Sequence, residues 1–302
     1  MKKTLLTICL VWMCFSLSAQ KIIDLSGKWS FSIDRQDNGE KEKWFSHTLN
    51  DCINLPGSMP EKLKGDEVTA KTQWTGSLYD SSYYYNPYME KYRKEGNIKF
   101  PFFLTPDKHY VGAAWYQKEV NIPADWKGER ILLFLERPHI ETTVWVNGQK
   151  TGMQNSLCVP HQYDITRYVR PGKCTITIRV DNRIKEINVG PDSHSITDQT
   201  QGNWNGIVGR ICLQTTPKTY FDDIQIYPEP EQKLARVKVV IKGAGITKIK
   251  LSAESFNTDK KHIVPAIQQE IKLNKGVTET EMVLPMGNDM LLWDEFHPAL
   301  YK

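Results

Sequence analysis

After its first twenty residues, the chain is dominated by hydrophobic and polar positions that alternate with a period of two. Between Thr175 and Asp181, the residues Ile176, Ile178 and Val180 all fall on one side of an extended chain. The segment Ala235 to Lys242 alternates in the same way. Because successive side chains of a strand point to opposite faces of its sheet, this pattern predicts half-buried β-strands.

Turn signals separate the strand-like segments at short intervals. Ile131 to Leu135 is a continuous apolar run, as expected for a strand covered on both faces. Val144 to Val146 leads into Asn147-Gly148, a pair that tolerates the positive φ angles of a tight hairpin turn. No long stretch has the period of an amphipathic helix. The sequence therefore predicts an all-β protein made of sandwich or barrel layers.

A change of composition near Pro217 predicts a domain boundary. Residues 20–217 are rich in Trp and contain long irregular loops, whereas residues 218–302 are plainer. An immunoglobulin-like β-sandwich has about seven strands, so we expect the second domain to be truncated before its last strand, with an open edge. Its predicted strands are Tyr220–Tyr227, Ala235–Lys242, Lys248–Phe256, Glu270–Leu273 and Thr278–Leu284.

Composition and charge narrow the class of protein. Hydrophobic residues make up 40% and charged residues 25% of the 302 residues, which is ordinary for a globular chain and excludes a disordered or polytopic membrane protein. The net charge of +4 includes Lys2 and Lys3, which we expect to be removed. The remaining excess is too small to indicate nucleic acid or an anionic membrane as a partner.

The first nineteen residues have the order of a secretory signal peptide. Lys2 and Lys3 are followed by the apolar stretch Thr4 to Leu17 and by Ser18-Ala19. The apolar stretch is short for a membrane span. We therefore expect a protein that is exported to the periplasm or the extracellular space after cleavage behind Ala19, and an uncleaved anchor is the alternative.

Four cysteines remain after this segment. Cys52, Cys158, Cys174 and Cys212 are widely and irregularly spaced, which argues against a zinc site, and we expect no cofactor. Their disulfide pairing is left open, although an exported protein could form disulfides. Cys174 and Cys212 lie in strand-like runs, where buried free thiols are expected.

Seven short motifs follow one another along the chain: Leu25–Phe31, Leu55–Met59, Gly112–Lys118, Val144–Gly148, Tyr163–Thr166, Trp204–Ile207 and Trp293–Tyr301. They span nearly the whole chain after the signal segment. Together and in this order they resemble the N-terminal half of glycoside hydrolase family 2, the group of β-galactosidases, β-glucuronidases and β-mannosidases.

This resemblance implies a jelly-roll sugar-binding domain, then an immunoglobulin-like domain, then a (β/α)8 barrel that carries two catalytic glutamates. A retaining mechanism needs those carboxyl groups about 5 Å apart. The sequence has no counterpart of the barrel, so we assign no catalytic residue. Glu136, Glu141 and Glu186 are instead expected to be solvated charges.

The family resemblance also implies that the loop before Gly206-Ile207, which runs from Asp192 to Asn205, helps to bind the terminal sugar. We expect this binding from Asp198, Gln199, Asn203, Trp204 and Asn205. Carboxylates and amides can pair with sugar hydroxyls, and an indole covers the apolar face of a pyranose. In the alternative interpretation the polar residues cap strand ends and Trp204 packs under the loop.

Other polar and aromatic candidates have simpler explanations. The insertion Tyr83 to Tyr88 could form an aromatic platform for glycans, or it could pack its own rings. His139 and His161 have no neighbouring ligand residue and are expected to be structural. Asp164 is expected to cap a short turn.

Two functional hypotheses follow. The chain is either the non-catalytic front part of an exported exo-β-glycosidase or a stand-alone carbohydrate-binding module without turnover. An adhesion sandwich would explain the strands but not the loop rich in hydroxyl-binding groups. An oligosaccharide or glycan is the expected partner in both hypotheses, and the sequence leaves a homo-oligomer, the sugar and the linkage open.

Overall fold

The chain consists of two compact units, which meet in sequence between Thr215 and Thr216. The computed structural model describes residues 20–75, 82–99, 105–157, 159–185, 198 and 202–302. Strands dominate both units, and the helices among the described residues are short. The predicted all-β fold is thereby confirmed. The predicted signal segment lies outside the described residues.

In its described residues, the first unit contains thirteen strands and four 3₁₀ helices. The strands are β1 (Ile22–Asp24), β2 (Gly27–Asp34), β3 (Asp51–Leu55), β4 (Gly57–Ser58), β5 (Asp66–Glu67), β6 (Lys108–His109), β7 (Ala113–Ile122), β8 (Arg130–Pro138), β9 (Glu141–Val146), β10 (Gln149–Asn155), β11 (His161–Asp164), β12 (Gly172–Asp181) and β13 (Gly206–Thr216). The helical elements are α1 (Ser82–Tyr85) and the 3₁₀ helices Trp44–Ser46, Pro87–Arg93, Ala124–Trp126 and Thr166–Tyr168.

Two sheets of this unit pack face to face as a β-sandwich. One has the order β1-β13-β8-β11, with β4 also pairing with β13, and the other has the order β10-β9-β12-β7-β2-β3. Ile176 and Ile178 of β12 share a core with Leu133 of β8 and Leu213 of β13. The alternation in β12 therefore faces the core as predicted, because every second residue points into the sandwich.

The hairpin between β9 and β10 has the predicted turn. Asn147 and Gly148 have φ angles of 50° and 76°, which lie in the left-handed region that suits these two residue types. The turn pairs Val146 with Gln149 in an antiparallel register.

The outer face of the six-stranded sheet is covered by residues 35–50, here called the covering loop, which connect β2 to β3. Trp115 and Trp145 lie on this face and are 0% and 2% exposed. Phe45 of the loop stacks on Trp145 with ring centroids 5.2 Å apart. The carboxylate of Asp34 accepts hydrogen bonds from Trp115 Nε1 at 2.9 Å and from the backbone of Gly39 at 2.8 Å. These contacts fix the loop on the sheet.

An ion-pair network lies beside the covering loop. Arg179 of β12 pairs with Asp37 of the loop, with Glu141 and with Asp181. Burial disfavours the charged form of Asp181, but hydrogen bonds from Arg183 and from a lysine outweigh it and hold the pKa of this carboxyl well below its usual range. The expectation that Glu141 is a solvated charge is wrong, because its side chain is 12% exposed and ion-paired. Glu186, for which the same was expected, lies outside the described residues.

The second unit is built on one long hairpin. The predicted separate strands merge, because strand pairing continues through the β-bulges at Gly243–Gly245 and Leu251–Ala253, which bend the strand without ending it. Its strands are β14 (Tyr220–Glu229), β15 (Leu234–Phe256), β16 (Ile263–Pro285) and β17 (Leu300–Tyr301), with a 3₁₀ helix at Pro230–Gln232.

The part of the hairpin before the bulge at Gly243–Gly245 packs on the part after it, and together they form a small core. Val237 and Val239 from the first half of β15 share a cluster with Ile249 from its second half. Ile224 and Ile226 of the edge strand β14 lie opposite Val239 and Val237, so they face the same side. They are nevertheless 50% and 65% exposed, so this part of the core side is open among the described residues.

Candidate functional site

The candidate site lies where β12 ends and β13 begins. Asn182 follows the last residue of β12, and Asn203, Trp204 and Asn205 directly precede β13. Of the connecting loop, the structure describes residues 183–185, 198 and 202–205. The predicted sugar-binding residue Gln199 therefore lies outside the described residues.

Asn205 is fully buried, and its amide joins two strands. Its Nδ2 donates hydrogen bonds to the carbonyl oxygens of Gly112 at 2.9 Å and Val180 at 3.0 Å. Its Oδ1 accepts one from the hydroxyl of Tyr116 at 2.8 Å. The side chain therefore uses its amide donors and its acceptor inside the protein, as a buried polar group must.

Asn203 and Asn182 form a buried pair of amides beside Asn205. Asn203 Oδ1 accepts a hydrogen bond from Asn182 Nδ2 at 3.0 Å, and Asn203 Nδ2 donates to the Asn182 carbonyl at 2.9 Å. Asn182 Oδ1 in turn accepts from the backbone of Gly112 at 2.8 Å. These bonds tie the end of the loop to the strand ends on both sides of it.

Asp198 connects the same loop to a distant segment. Its carboxylate accepts hydrogen bonds from the backbone N–H groups of Thr75 and Asn203, both at 2.5 Å. Its own N–H donates to the Thr75 carbonyl at 3.1 Å. Asn203 Nδ2 reaches the Thr75 hydroxyl at 2.9 Å. Charge-assisted bonds of this kind are stronger than neutral ones, so Asp198 is the main link between the loop and residue 75.

Two buried histidines flank this cluster. His109 Nε2 lies 3.4 Å from a carboxylate oxygen of Asp198, and the His109 ring packs against Trp74 at 4.8 Å between centroids. His139 stacks on Trp204 at 4.5 Å and an interplanar angle of 21°. Neither Nε2 atom has a hydrogen-bond partner among the residues that the structure describes.

The environment of His139 determines its protonation. Burial lowers the pKa of His139 to about 4, and the neighbouring Asn203 amide and the negative charge of Asp198 oppose this only in part. The ring is therefore neutral near pH 7 and stacks on Trp204 as an uncharged aromatic group.

The structure thus brings together four of the five predicted site residues. Asp198, Asn203 and Asn205 are 5%, 3% and 0% exposed and bind protein groups, while Trp204 is half-buried. These contacts agree with the alternative interpretation, in which the polar side chains hold strand ends. Sugar binding by the five residues stays a prediction.

Sequence reasoning missed the partners of these residues. Thr75, His109 and Asn182 complete the cluster, yet they lie in three separate segments. No spacing motif connects them. The one local signal was the position of Asn182 directly after a strand, where a polar side chain often binds nearby backbone.

Several smaller predictions are confirmed. Asp164 Oδ1 accepts a hydrogen bond from the Thr166 N–H at 3.1 Å and so caps the short turn after β11. Cys174 and Cys212 are buried free thiols. His161 is fully buried, and its Nδ1 lies 2.6 Å from the Thr142 hydroxyl, so it is structural as expected. Cys158 lies outside the described residues.

Neither a membrane span nor a metal cluster is found in the part of the chain that the structure describes. None of the helices there is long and apolar enough to cross a bilayer. The same residues contain no group of three or more His, Cys, Asp or Glu side chains that could hold a metal ion.

Comparison with known proteins gives one family. The family model described as "Glycosyl hydrolases family 2, sugar binding domain" matches residues 22–217. A β-glucuronidase of Homo sapiens is 24% identical over 258 residues, which are 76% of this chain and 34% of that protein. A β-glucuronidase of Paenibacillus borealis is 27% identical over 222 residues, which are 68% of this chain and 31% of that protein.

The fold is similar to solved structures of the same kind. A β-glucuronidase from an uncultured Clostridium sp. has a TM-score of 0.57 and 21% identity, with 94% of this chain and 42% of that chain covered. The present chain therefore spans about a third of the length of the curated relatives that it matches.

Proposed function

The chain belongs to glycosyl hydrolase family 2, and from this membership we propose that it is the non-catalytic N-terminal part of an exported exo-β-glycosidase. In this role it positions the terminal sugar of an oligosaccharide or glycan for a catalytic barrel. The match of a sugar-binding-domain model to residues 22–217 carries the proposal. The relatives, named β-glucuronidases, extend well beyond the matched part and provide room for a further domain.

The buried polar cluster defines what the described residues contribute. Asp198, Asn203 and Asn205 hold the loop between β12 and β13 against the strand ends through the bonds given above. Trp204 rests one face on His139 and is half-buried, so part of its indole is available to the apolar face of a pyranose. A loop held by a rigid scaffold keeps such a contact in place.

The bond-breaking step belongs to the proposed barrel. A retaining β-glycosidase needs one carboxylate to attack the anomeric carbon and a second carboxyl to protonate the leaving oxygen, about 5 Å away. The described part of this chain forms antiparallel sandwiches, and we assign neither carboxyl to it. The chain alone is therefore proposed to be inactive.

Nitrophenyl β-glycosides test this proposal directly. The chain alone should release no nitrophenol from the β-glucuronide, β-galactoside or β-mannoside, whereas a longer form that includes the downstream reading frame should hydrolyse at least one. Turnover by the chain alone would contradict the assignment of chemistry to another domain. A stop codon directly after Lys302 would favour the alternative, a carbohydrate-binding module without turnover.

Export is the second element of the proposal. The positive start and apolar stretch within residues 1–19 support secretion with cleavage after Ala19. N-terminal sequencing of secreted protein should begin at Gln20. An intact Met1 on the secreted protein would contradict cleavage.

A further inference from the structure

Two tyrosine rings of the first unit (unit 1; the second is unit 2) are unusually exposed. Tyr85 and Tyr88 are 81% and 84% exposed, and among the described residues only Phe296 in unit 2, at 80%, is a similarly exposed large hydrophobic side chain. Aromatic side chains contribute most of their stabilising energy when they are buried. Rings that stay in water on a folded surface are candidates for binding another molecule.

The segment that carries these rings, residues 82–99, is folded and held by its own contacts. Tyr83 is fully buried, and its hydroxyl donates a hydrogen bond to the Tyr92 carbonyl at 2.9 Å. Arg93 donates to the Tyr83 carbonyl. The two interpretations of this insertion therefore apply to different residues, since Tyr83 packs inside it while Tyr85 and Tyr88 face solvent.

The link between the two exposed rings is also ordered. Asn86 Oδ1 accepts a hydrogen bond from the Tyr88 N–H at 3.0 Å and so caps the 3₁₀ helix that begins at Pro87. Pro87 fixes its own φ angle. Tyr85 and Tyr88 are thus presented by a short, constrained backbone, which lowers the entropy lost when they bind a ligand.

The surroundings of the rings indicate the chemistry of the ligand. Within residues 82–99, cations outnumber anions, and one lysine forms an exposed pair with Glu90 at 3.3 Å. Protein–protein interfaces are enriched in Tyr and Arg but depleted of Lys and Glu, and here three lysines and two glutamates accompany a single arginine, which weighs against a protein partner. The four cations of residues 82–99 are Lys91, Arg93, Lys94 and Lys99, and the two anions are Glu90 and Glu95.

We propose that residues 82–99 form a second carbohydrate-binding surface, which binds polysaccharides that contain uronic acids. The rings of Tyr85 and Tyr88 lie against the apolar faces of the sugars, and their hydroxyl groups remain in water. The excess of lysine and arginine attracts the sugar carboxylates. This surface needs no catalytic barrel and uses none of the residues of the polar cluster, so it goes beyond the proposed function.

Affinity electrophoresis of the whole chain tests the proposal. In native gels that contain polygalacturonate, the chain should migrate more slowly as the polysaccharide concentration rises. The double variant Tyr85→Ala/Tyr88→Ala should bind about tenfold more weakly, because the loss of one or two aromatic contacts changes the binding energy by about 1.4 kcal/mol. The substitution leaves the net charge unchanged, so purely ionic retardation persists in the variant and the difference isolates the rings.

Two control variants and one neutral polymer complete the test. Phe296→Ala removes an equally exposed aromatic ring from unit 2 and should bind as the unmodified chain does. Tyr85→Phe/Tyr88→Phe keeps both ring faces and should retain most of the affinity. Equal retardation of the chain and the Ala double variant, or an equal loss in Phe296→Ala, would overturn the proposal. Equal retardation by neutral dextran would overturn the preference for uronic acids. Nitrophenyl glycoside hydrolysis is a separate readout, so failure here is distinguishable from failure of the proposed function.

Discussion

Replacement of Asn205 by Ala separates a structural role of this residue from a sugar-binding role. The side chain is fully buried and makes three hydrogen bonds, to the Tyr116 hydroxyl and to the carbonyl oxygens of Gly112 and Val180. Asn205→Ala leaves the Tyr116 hydroxyl without its acceptor and removes a donor from each carbonyl. If Asn205 only contacted sugar, the same substitution would leave the fold intact.

The expected loss is large for a single substitution. A buried polar group that loses its partner costs about 1–3 kcal/mol, and three groups are affected, although a carbonyl oxygen can find other donors. We therefore expect Asn205→Ala to lower the free energy of unfolding of unit 1 by about 3–4 kcal/mol. Tyr116→Phe removes only one of the three bonds and should cost about 1–2 kcal/mol.

Urea unfolding followed by tryptophan fluorescence measures this loss. Of the nine tryptophans, only Trp12 and Trp293 lie outside residues 20–215, so the signal reports mainly on unit 1. The double variant Asn205→Ala/Tyr116→Phe should cost less than the sum of the single variants, because the two residues share a hydrogen bond.

Asn121→Ala is the matched control, since Asn121 is exposed on β7 and its loss should change stability by less than about 0.5 kcal/mol. A loss below about 1 kcal/mol for Asn205→Ala, or no coupling to Tyr116→Phe, would refute the structural role.

Three further positions, Gly39, His139 and Asp198, give testable variants. Gly39→Ala would place its Cβ 2.5 Å from Trp115 Nε1 and should destabilise unit 1 by about 1–3 kcal/mol in urea titrations. Gly152→Ala is the control and should be nearly neutral, because its Cβ would lie 3.7 Å from the Tyr163 ring, an ordinary van der Waals contact. Burial lowers the pKa of His139 from 6.5 to about 4, so the unfolded chain binds the proton more readily than the folded chain does. The free energy of unfolding should therefore fall by up to about 3 kcal/mol as the pH drops from 6.5 to 4. His139→Gln should flatten this pH dependence in urea titrations, and an unchanged profile would contradict the prediction. Asp198→Ala should lower the free energy of unfolding by about 2–3 kcal/mol, because two backbone N–H groups lose a charged acceptor. The same variant should abolish turnover of a barrel-containing form. Asp198→Asn keeps an acceptor and should lose less stability in the same titration.

The strands were predictable where one face is apolar and the other polar. The alternation in β12 and the turn at Asn147-Gly148 depend on local geometry, which a short stretch of sequence encodes. The lengths of the strands in unit 2 were not predictable, because a bulge and a turn have similar sequence signals, and Gly243 and Gly245 form a bulge.

The candidate site was predictable only in part. The family motif located the loop before Gly206, and the structure brings Asp198, Asn203 and Asn205 together there. Their side chains could form hydrogen bonds with sugar or with protein, and residue type alone does not distinguish the two. Their hydrogen bonds to other protein groups show that these side chains stabilise the fold, and the partner groups come from segments far away in the sequence.

By itself, the sequence determined the all-β class and the family, because strand periodicity and short motifs are local properties that survive low overall identity. Only the tertiary structure decided which polar groups are enclosed. Trp115 and Arg179 lie on the outer face of a sheet, yet the covering loop buries them, because Trp44 of the loop packs on Trp115 and Asp37 of the loop pairs with Arg179. Hydrogen-bond partners of this kind depend on how distant segments approach one another, and this information is not contained in any local pattern.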